Sequence, residues 1–136
     1  MKWMIAALLL LPMTLCSQDL SQHRWENRLL LILTVEQNHP LVQKQLDELH
    51  ENRQGVEERR LLTYLITPER YQLQLDDKKW QPNSAFAKYS SGKAYEVVLV
   101  GLDGSIKQRE FGLFKASKLF SIIDSMPMRQ AEMRGN

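Results

Sequence analysis

The residues best placed to do chemistry stand in one short polar run, Glu36-Gln37-Asn38-His39, closed by Pro40. Glu36 and His39 are three apart, a spacing that gathers two metal ligands on one helix face. Here, however, they bridge the end of an apolar run and the start of a helical pattern, and the sequence puts no third ligand nearby. A polar loop with Asn38 or His39 capping the helix is the simpler reading, with an enzyme or metal-handling protein using His39 and its polar neighbours as the alternative. Met126, Met128 and Met133 offer thioethers to a soft ion such as Cu(I), although Met126 also fits a core stripe. Asp76-Asp77 is an adjacent pair in a charged turn, without the partners that would make one carboxyl an acid and the other a base. His23 and His50 stand alone among polar residues and read as surface side chains. None of these groups implies a cofactor or a metal.

Thiol chemistry depends on one residue, because Cys16 is the only cysteine. Lys2 gives a positive start, Trp3 to Leu15 is an almost continuous apolar run containing Pro12, and Thr14 and Cys16 are small residues that a signal peptidase accepts before a cut. The expectation is a signal peptide over residues 1–16, cleaved after Cys16, and a domain over 17–136 that lacks redox cysteines. Such a chain forms no disulfide and runs no thiol exchange, since both need a thiolate. It is expected to be exported, periplasmic or secreted. The apolar run is shorter than the ~20 residues that cross a bilayer, so no stable membrane span is expected. Leu15-Cys16 also admits a lipid anchor on Cys16, although Leu15 stands where a lipobox takes Gly, Ala or Ser.

The chain has 136 residues, 43% hydrophobic and 25% charged, values that suit one globular domain with its own core. Its net charge of +2 has no basic block behind it, as Glu57-Glu58-Arg59-Arg60 and Asp76-Asp77-Lys78-Lys79 show. Phosphate backbones call for Lys and Arg gathered on one surface, so no nucleic-acid partner is expected.

The element that positions the polar run is Arg28 to Val35, an apolar stretch entered by the charge of Arg28, which suits a strand buried on both faces and central in a sheet. It leads through the polar loop into a helix that begins at Pro40 and is stopped by Gly55, with Val42, Leu46, Leu49 and Arg53 on one face and the Gln positions, Gln45 among them, facing outward with Lys, Asp and Glu. Leu61 to Thr67, ended by Pro68, is a second buried strand, and the pair makes a right-handed parallel βαβ unit. Tyr71, Leu73 and Leu75 alternate with Gln72 and Gln74, the period of a half-buried strand. A short helix fits Ala85, Phe86, Ala87 and Tyr89 behind the caps Asn83 and Ser84. Tyr95 to Val100 and Ser105 to Phe111 form a hairpin about Asp103-Gly104. A last helix from about Lys115 carries Ala116, Leu119, Phe120, Ile123 and Met126 inward until Pro127 breaks it. Trp25, ahead of the first strand, is expected to pack over the end of the core.

This order, β-α-β, a short helix, then β-β-α, resembles the thioredoxin-like fold, an α/β mixed sheet with helices on both faces. The resemblance sharpens at Arg24-Trp25-Glu26-Asn27-Arg28-Leu29-Leu30-Leu31, at Val98-Leu99-Val100-Gly101-Leu102-Asp103-Gly104, and at Asp124-Ser125-Met126-Pro127-Met128-Arg129 with Glu132-Met133-Arg134. Together these are similar to a domain-of-unknown-function family with a thioredoxin- or peroxiredoxin-like fold. That family occurs in small exported bacterial proteins and in vertebrate sushi-repeat and coiled-coil-domain matrix proteins. The resemblance implies the fold and an extracytoplasmic setting, and it carries no catalytic residue. Thioredoxins keep Cys-x-x-Cys after the first strand, where this chain has Gln37, Asn38, His39 and Pro40. They also place a cis-proline before the strand that corresponds to Tyr95 to Val100, where this chain has Lys93 and Ala94.

The function expected from these observations is recognition without catalysis, and not thiol–disulfide exchange. The partner would be a protein, peptide or glycan of the cell envelope or exterior, held at Gln37, Asn38, His39 and Tyr95, with Arg129 joining if the tail folds back. A lipid-anchored structural module of the envelope is the further alternative.

Overall fold

The computed structural model describes residues 20–74 and 79–135. The proposed signal peptide, Leu75 and the Asp76-Asp77 pair lie outside them. The apolar run forms β1 (Arg28–Thr34), with all seven residues buried. Val35 falls outside the strand and is 54% exposed. β1 lies between β2 (Leu61–Ile66), which it pairs in parallel, and β5 (Tyr95–Val100), which it pairs antiparallel, so that Ile32 stands opposite Leu65 on one side and Val97 on the other. With β3 (Arg70–Leu73), β4 (Gln81–Pro82) and β6 (Ile106–Glu110) the six-stranded order is β4-β3-β2-β1-β5-β6. The central strand and the parallel βαβ unit are those expected from the sequence.

Alternation along the strands feeds two apolar layers. Leu30 and Ile32 pack with α1 (Pro40–Glu51) and α4 (Ala116–Asp124), while Leu29, Leu31 and Leu33 pack with Leu20 and with Ala85 and Tyr89 of α3 (Ala85–Tyr89). Helices therefore cover both faces.

Several expectations are corrected by long-range contacts. The helix after Pro40 ends at Glu51, and Asn52 separates it from α2 (Arg53–Glu58), which contains Gly55 instead of stopping before it. Glycine is required there by Phe120: a Cβ on Gly55 would lie 2.5 Å from its ring. Gln45, read as outward, is fully buried because its amide clamps the backbone of Phe114, accepting from N–H at 2.7 Å and donating to O at 2.9 Å. Phe120 and Met126 are only partly buried. The helix expected to run to Pro127 ends at Asp124, and Pro127 opens another, α5 (Pro127–Arg134), with Met126 as its cap. The return strand is shorter at both ends than Ser105 to Phe111.

Trp25 does not cover the core. It is 59% exposed, at φ +70°, with its backbone N–H given to Leu102 O at 2.7 Å. His23 takes the inner position instead, its Nε2 2.7 Å from the Tyr64 hydroxyl. Burial lowers the His23 pKa against an opposing pull from Glu26, and burial pushes Tyr64 up to about 12. His50 is exposed as expected.

Candidate functional site

Beyond β1 the chain makes a braced corner. Thr34, fully buried, donates its hydroxyl to Glu36 O at 2.7 Å, and Val35 N–H donates to Ala94 O at 3.0 Å. The carbonyl just before β5 is thereby engaged by this chain's own backbone. His39 N–H reaches Glu36 O, which closes the turn and sets His39 as the cap of α1, with Pro40 at the first helical position.

His39 Nδ1 accepts from Leu41 N–H at 3.2 Å. The neutral ring consequently carries its proton on Nε2. Its face stacks on Tyr95, ring centroids 4.8 Å apart and planes 17° apart. Tyr95 in turn donates its hydroxyl to Leu41 O at 3.3 Å, and burial raises its pKa to about 12, so it stays a neutral donor at physiological pH. Two rings are thus fastened to the first turn of one helix. Gln37 and Asn38 are exposed beside them.

Gln37 Oε1 accepts from an Arg70 terminal nitrogen at 2.9 Å, and the Arg70 guanidinium lies over Trp80, 4.3 Å from the ring centroid. Arg70 and Trp80 were not singled out from the sequence. The available signal was topological: parallel β1 and β2 end on the same side, so the turn after Pro68 must arrive beside the polar loop. The buried Glu96 steadies the other flank, with Oε2 accepting from the Ser91 hydroxyl at 2.6 Å and Oε1 paired to Arg109.

The structure brings Gln37, Asn38, His39 and Tyr95 together, but it buries Tyr95, 5% exposed, in the core beneath His39, and it sets Arg129 apart. The tail does fold back, but to the opposite end of β1. There Arg129, 4% exposed, pairs with Asp124 and Glu58 at 3.1 Å each and approaches Glu132 at 3.5 Å. Glu132 also takes Arg28, itself fully buried, and Arg60. Arg59 pairs with Asp124 at 2.8 Å and covers the Phe120 ring at 4.1 Å. Arg28, Asp124, Arg129 and Glu132, which belong to the motifs quoted above, therefore meet in one charged latch that holds α5 to the sheet.

Among the described residues no three of His, Cys, Asp and Glu converge, and Met128 and Met133 are both exposed on α5. No helix of the described residues is long and apolar enough to cross a membrane. A groove of about 400 Å³ lies beside α1 and the start of β2, lined by Leu46, Val56 and Leu61, with His50, Arg53 and Glu57. Its Arg53 and Glu57 are paired to each other at 2.9 Å.

A mixed sheet with this strand order, covered by helices on both faces and with a polar corner beyond its central strand, defines the thioredoxin-like class. A reduced 2-Cys peroxiredoxin from Plasmodium vivax is similar in structure, with a TM-score of 0.53 and 13% identity over 84% of each chain. By sequence the chain belongs to the family described as a domain of unknown function (DUF4174), which matches residues 19–132. Comparison with curated proteins gave no match.

Proposed function

We propose that this protein is an exported, non-catalytic binding domain that recognises a protein, peptide or glycan on the rim formed by Gln37, Asn38 and His39, with the buried Tyr95 holding the His39 ring in place. The observation that carries this reading is the stacked pair His39 and Tyr95, each bonded to Leu41. Those bonds use inward-facing atoms and leave the amides of Gln37 and Asn38 beside a fixed ring pair. A rim already held in one geometry loses little freedom when a ligand settles on it, which is what recognition requires. Export is supported by Lys2 and the apolar run Trp3 to Leu15, and attachment through Cys16 is the variant favoured by the Leu15-Cys16 pair. Mass analysis of the native amino terminus separates a chain cut after Cys16 from one lipidated there.

The test of the rim is a quantitative pull-down with the combined variant Gln37→Ala, Asn38→Ala, His39→Ala, which spares the buried Tyr95. It is expected to unfold cooperatively and to lose partners that the parent retains. Equal retention by this variant, with loss on substitution of Met128 and Arg134, would place the site on the tail.

A further inference from the structure

Arg70 is the cation that its surroundings orient without neutralising. Trp80 stacks beneath its guanidinium and Gln37 takes one terminal nitrogen, so the plane of the fork is set while its remaining donors are exposed. Arg28, Arg53, Arg59, Arg60, Arg109 and Arg129 each meet a carboxylate. Among the described residues Arg24, Arg70 and Arg134 have no such pair, and of these three Arg70 is the one stacked on an aromatic ring and bonded to the rim, although Glu69 precedes it in sequence and Glu36 adjoins Gln37. An oriented, exposed fork is the geometry that takes a carboxylate through two parallel hydrogen bonds. A phosphate site would call for a cluster of arginines, and Arg70 is the one guanidinium placed on this rim.

We propose that Arg70 reads a carboxylate of the ligand and that the ligand is an extended acidic peptide. This rests on the rim reading above and deepens it. Next to Arg70 the rim presents the side-chain amides of Gln37 and Asn38. An amide offers a donor and an acceptor in one plane, matching the N–H and C=O that an extended peptide repeats along its length. The sequence of contacts is then carboxylate on Arg70, peptide backbone on the two amides, and an adjoining side chain against the half-buried His39 ring, which the buried Tyr95 backs.

The experiment titrates the purified protein with a fluorescein-labelled glutamate-rich decapeptide and with the same peptide carrying Gln for Glu. Anisotropy gives affinity, and amide and arginine side-chain NMR shifts give location. The acidic peptide is expected to bind about tenfold more tightly, the gain expected of a charge-assisted bidentate contact, and to shift the Arg70 Nε–H resonance. Arg70→Ala should remove the difference between the two peptides while leaving the weaker rim shifts. Arg70→Lys, which keeps the charge but not the fork, should recover only part of it. Equal affinity of both peptides at the rim would overturn the carboxylate assignment and leave the rim reading standing, as would a preference for acid that survives in Arg70→Ala. Shifts confined to the α5 surface or to the groove beside α1 would overturn both. Engagement of Arg70 by an oligo-uronate, with no response to the acidic peptide, would overturn the choice of peptide.

Discussion

The imidazole of His39 lies nearly parallel on the phenol of Tyr95, and both rings are tied to Leu41, one through its N–H and the other through its carbonyl. A helix start and the first residue of β5 are thereby locked into one unit. His39→Ala removes a cap, at about 0.5–2 kcal/mol, and an aromatic pair, at about 0.5–1.5 kcal/mol. His39→Asn restores a capping acceptor without the ring. In urea unfolding, His39→Asn is expected to recover about half the loss of His39→Ala. Equal losses would show that the cap contributes nothing.

Arg28 donates both terminal nitrogens to Glu132, at 3.3 and 3.2 Å, from a site with no exposure. Glu132→Gln leaves that cation without its full counter-charge. Removing one partner of a buried pair costs several kcal/mol, and since Glu132 is partly exposed the expected loss is about 3 kcal/mol. A loss under about 1 kcal/mol by denaturant unfolding would mean that α5 is not latched through this pair.

The same latch sets an acid limit. Burial pushes the Glu132 carboxyl up, but hydrogen bonds from Arg60 and Arg28 and their charges outweigh it, and its pKa lies below the ordinary 4.5. The Arg59 hydrogen bond lowers Asp124 from its ordinary 3.8, with Arg129 adding to it against burial. Lowered carboxylate values contribute stability that is fully present above the ordinary pKa and lost as pH falls through the folded one. The stability of the parent should thus hold from neutrality to about pH 5 and decline below pH 4.5. Glu132→Gln should show a shallower decline, measured as unfolding midpoint against pH. Asp103, held at about 2 chiefly by the Ser105 backbone N–H, titrates in both proteins and cancels in the comparison. Parallel profiles would remove Glu132 as a source of the acid dependence.

Ile32 has no exposure and stands between Leu65 and Val97. Truncation to Ala is expected to cost about 2–5 kcal/mol. A change below about 1 kcal/mol in reversible unfolding would contradict the central place of β1.

What the sequence showed and what it hid divide along contact range. Apolar runs disclosed β1, β2 and β5, and Asp103-Gly104 disclosed the hairpin, because strand burial and turn geometry are written in neighbouring residues. Arg28 read as a strand's entry charge because its counter-ion stands in the last helix. Gln45 read as solvent-facing because Phe114, whose backbone it clamps, lies beyond five intervening strands. Gly55 read as a stop because only the packed Phe120 reveals why a glycine is needed within a helix. At the rim, the polar loop was legible as a strand end followed by a helix cap. The Arg70 and Trp80 side was not, since it depends on which strand ends lie together.

The most direct test is site-specific photocrosslinking in cells that express the protein. A benzophenone amino acid is placed singly at Asn38, at Met128 on α5 and at His50 beside the groove, all three being exposed positions. A discrete crosslinked species is predicted from Asn38, diminished by Gln37→Ala with His39→Ala, and no comparable species from the other two. A discrete species from Met128 or His50, with none from Asn38, would contradict the rim reading.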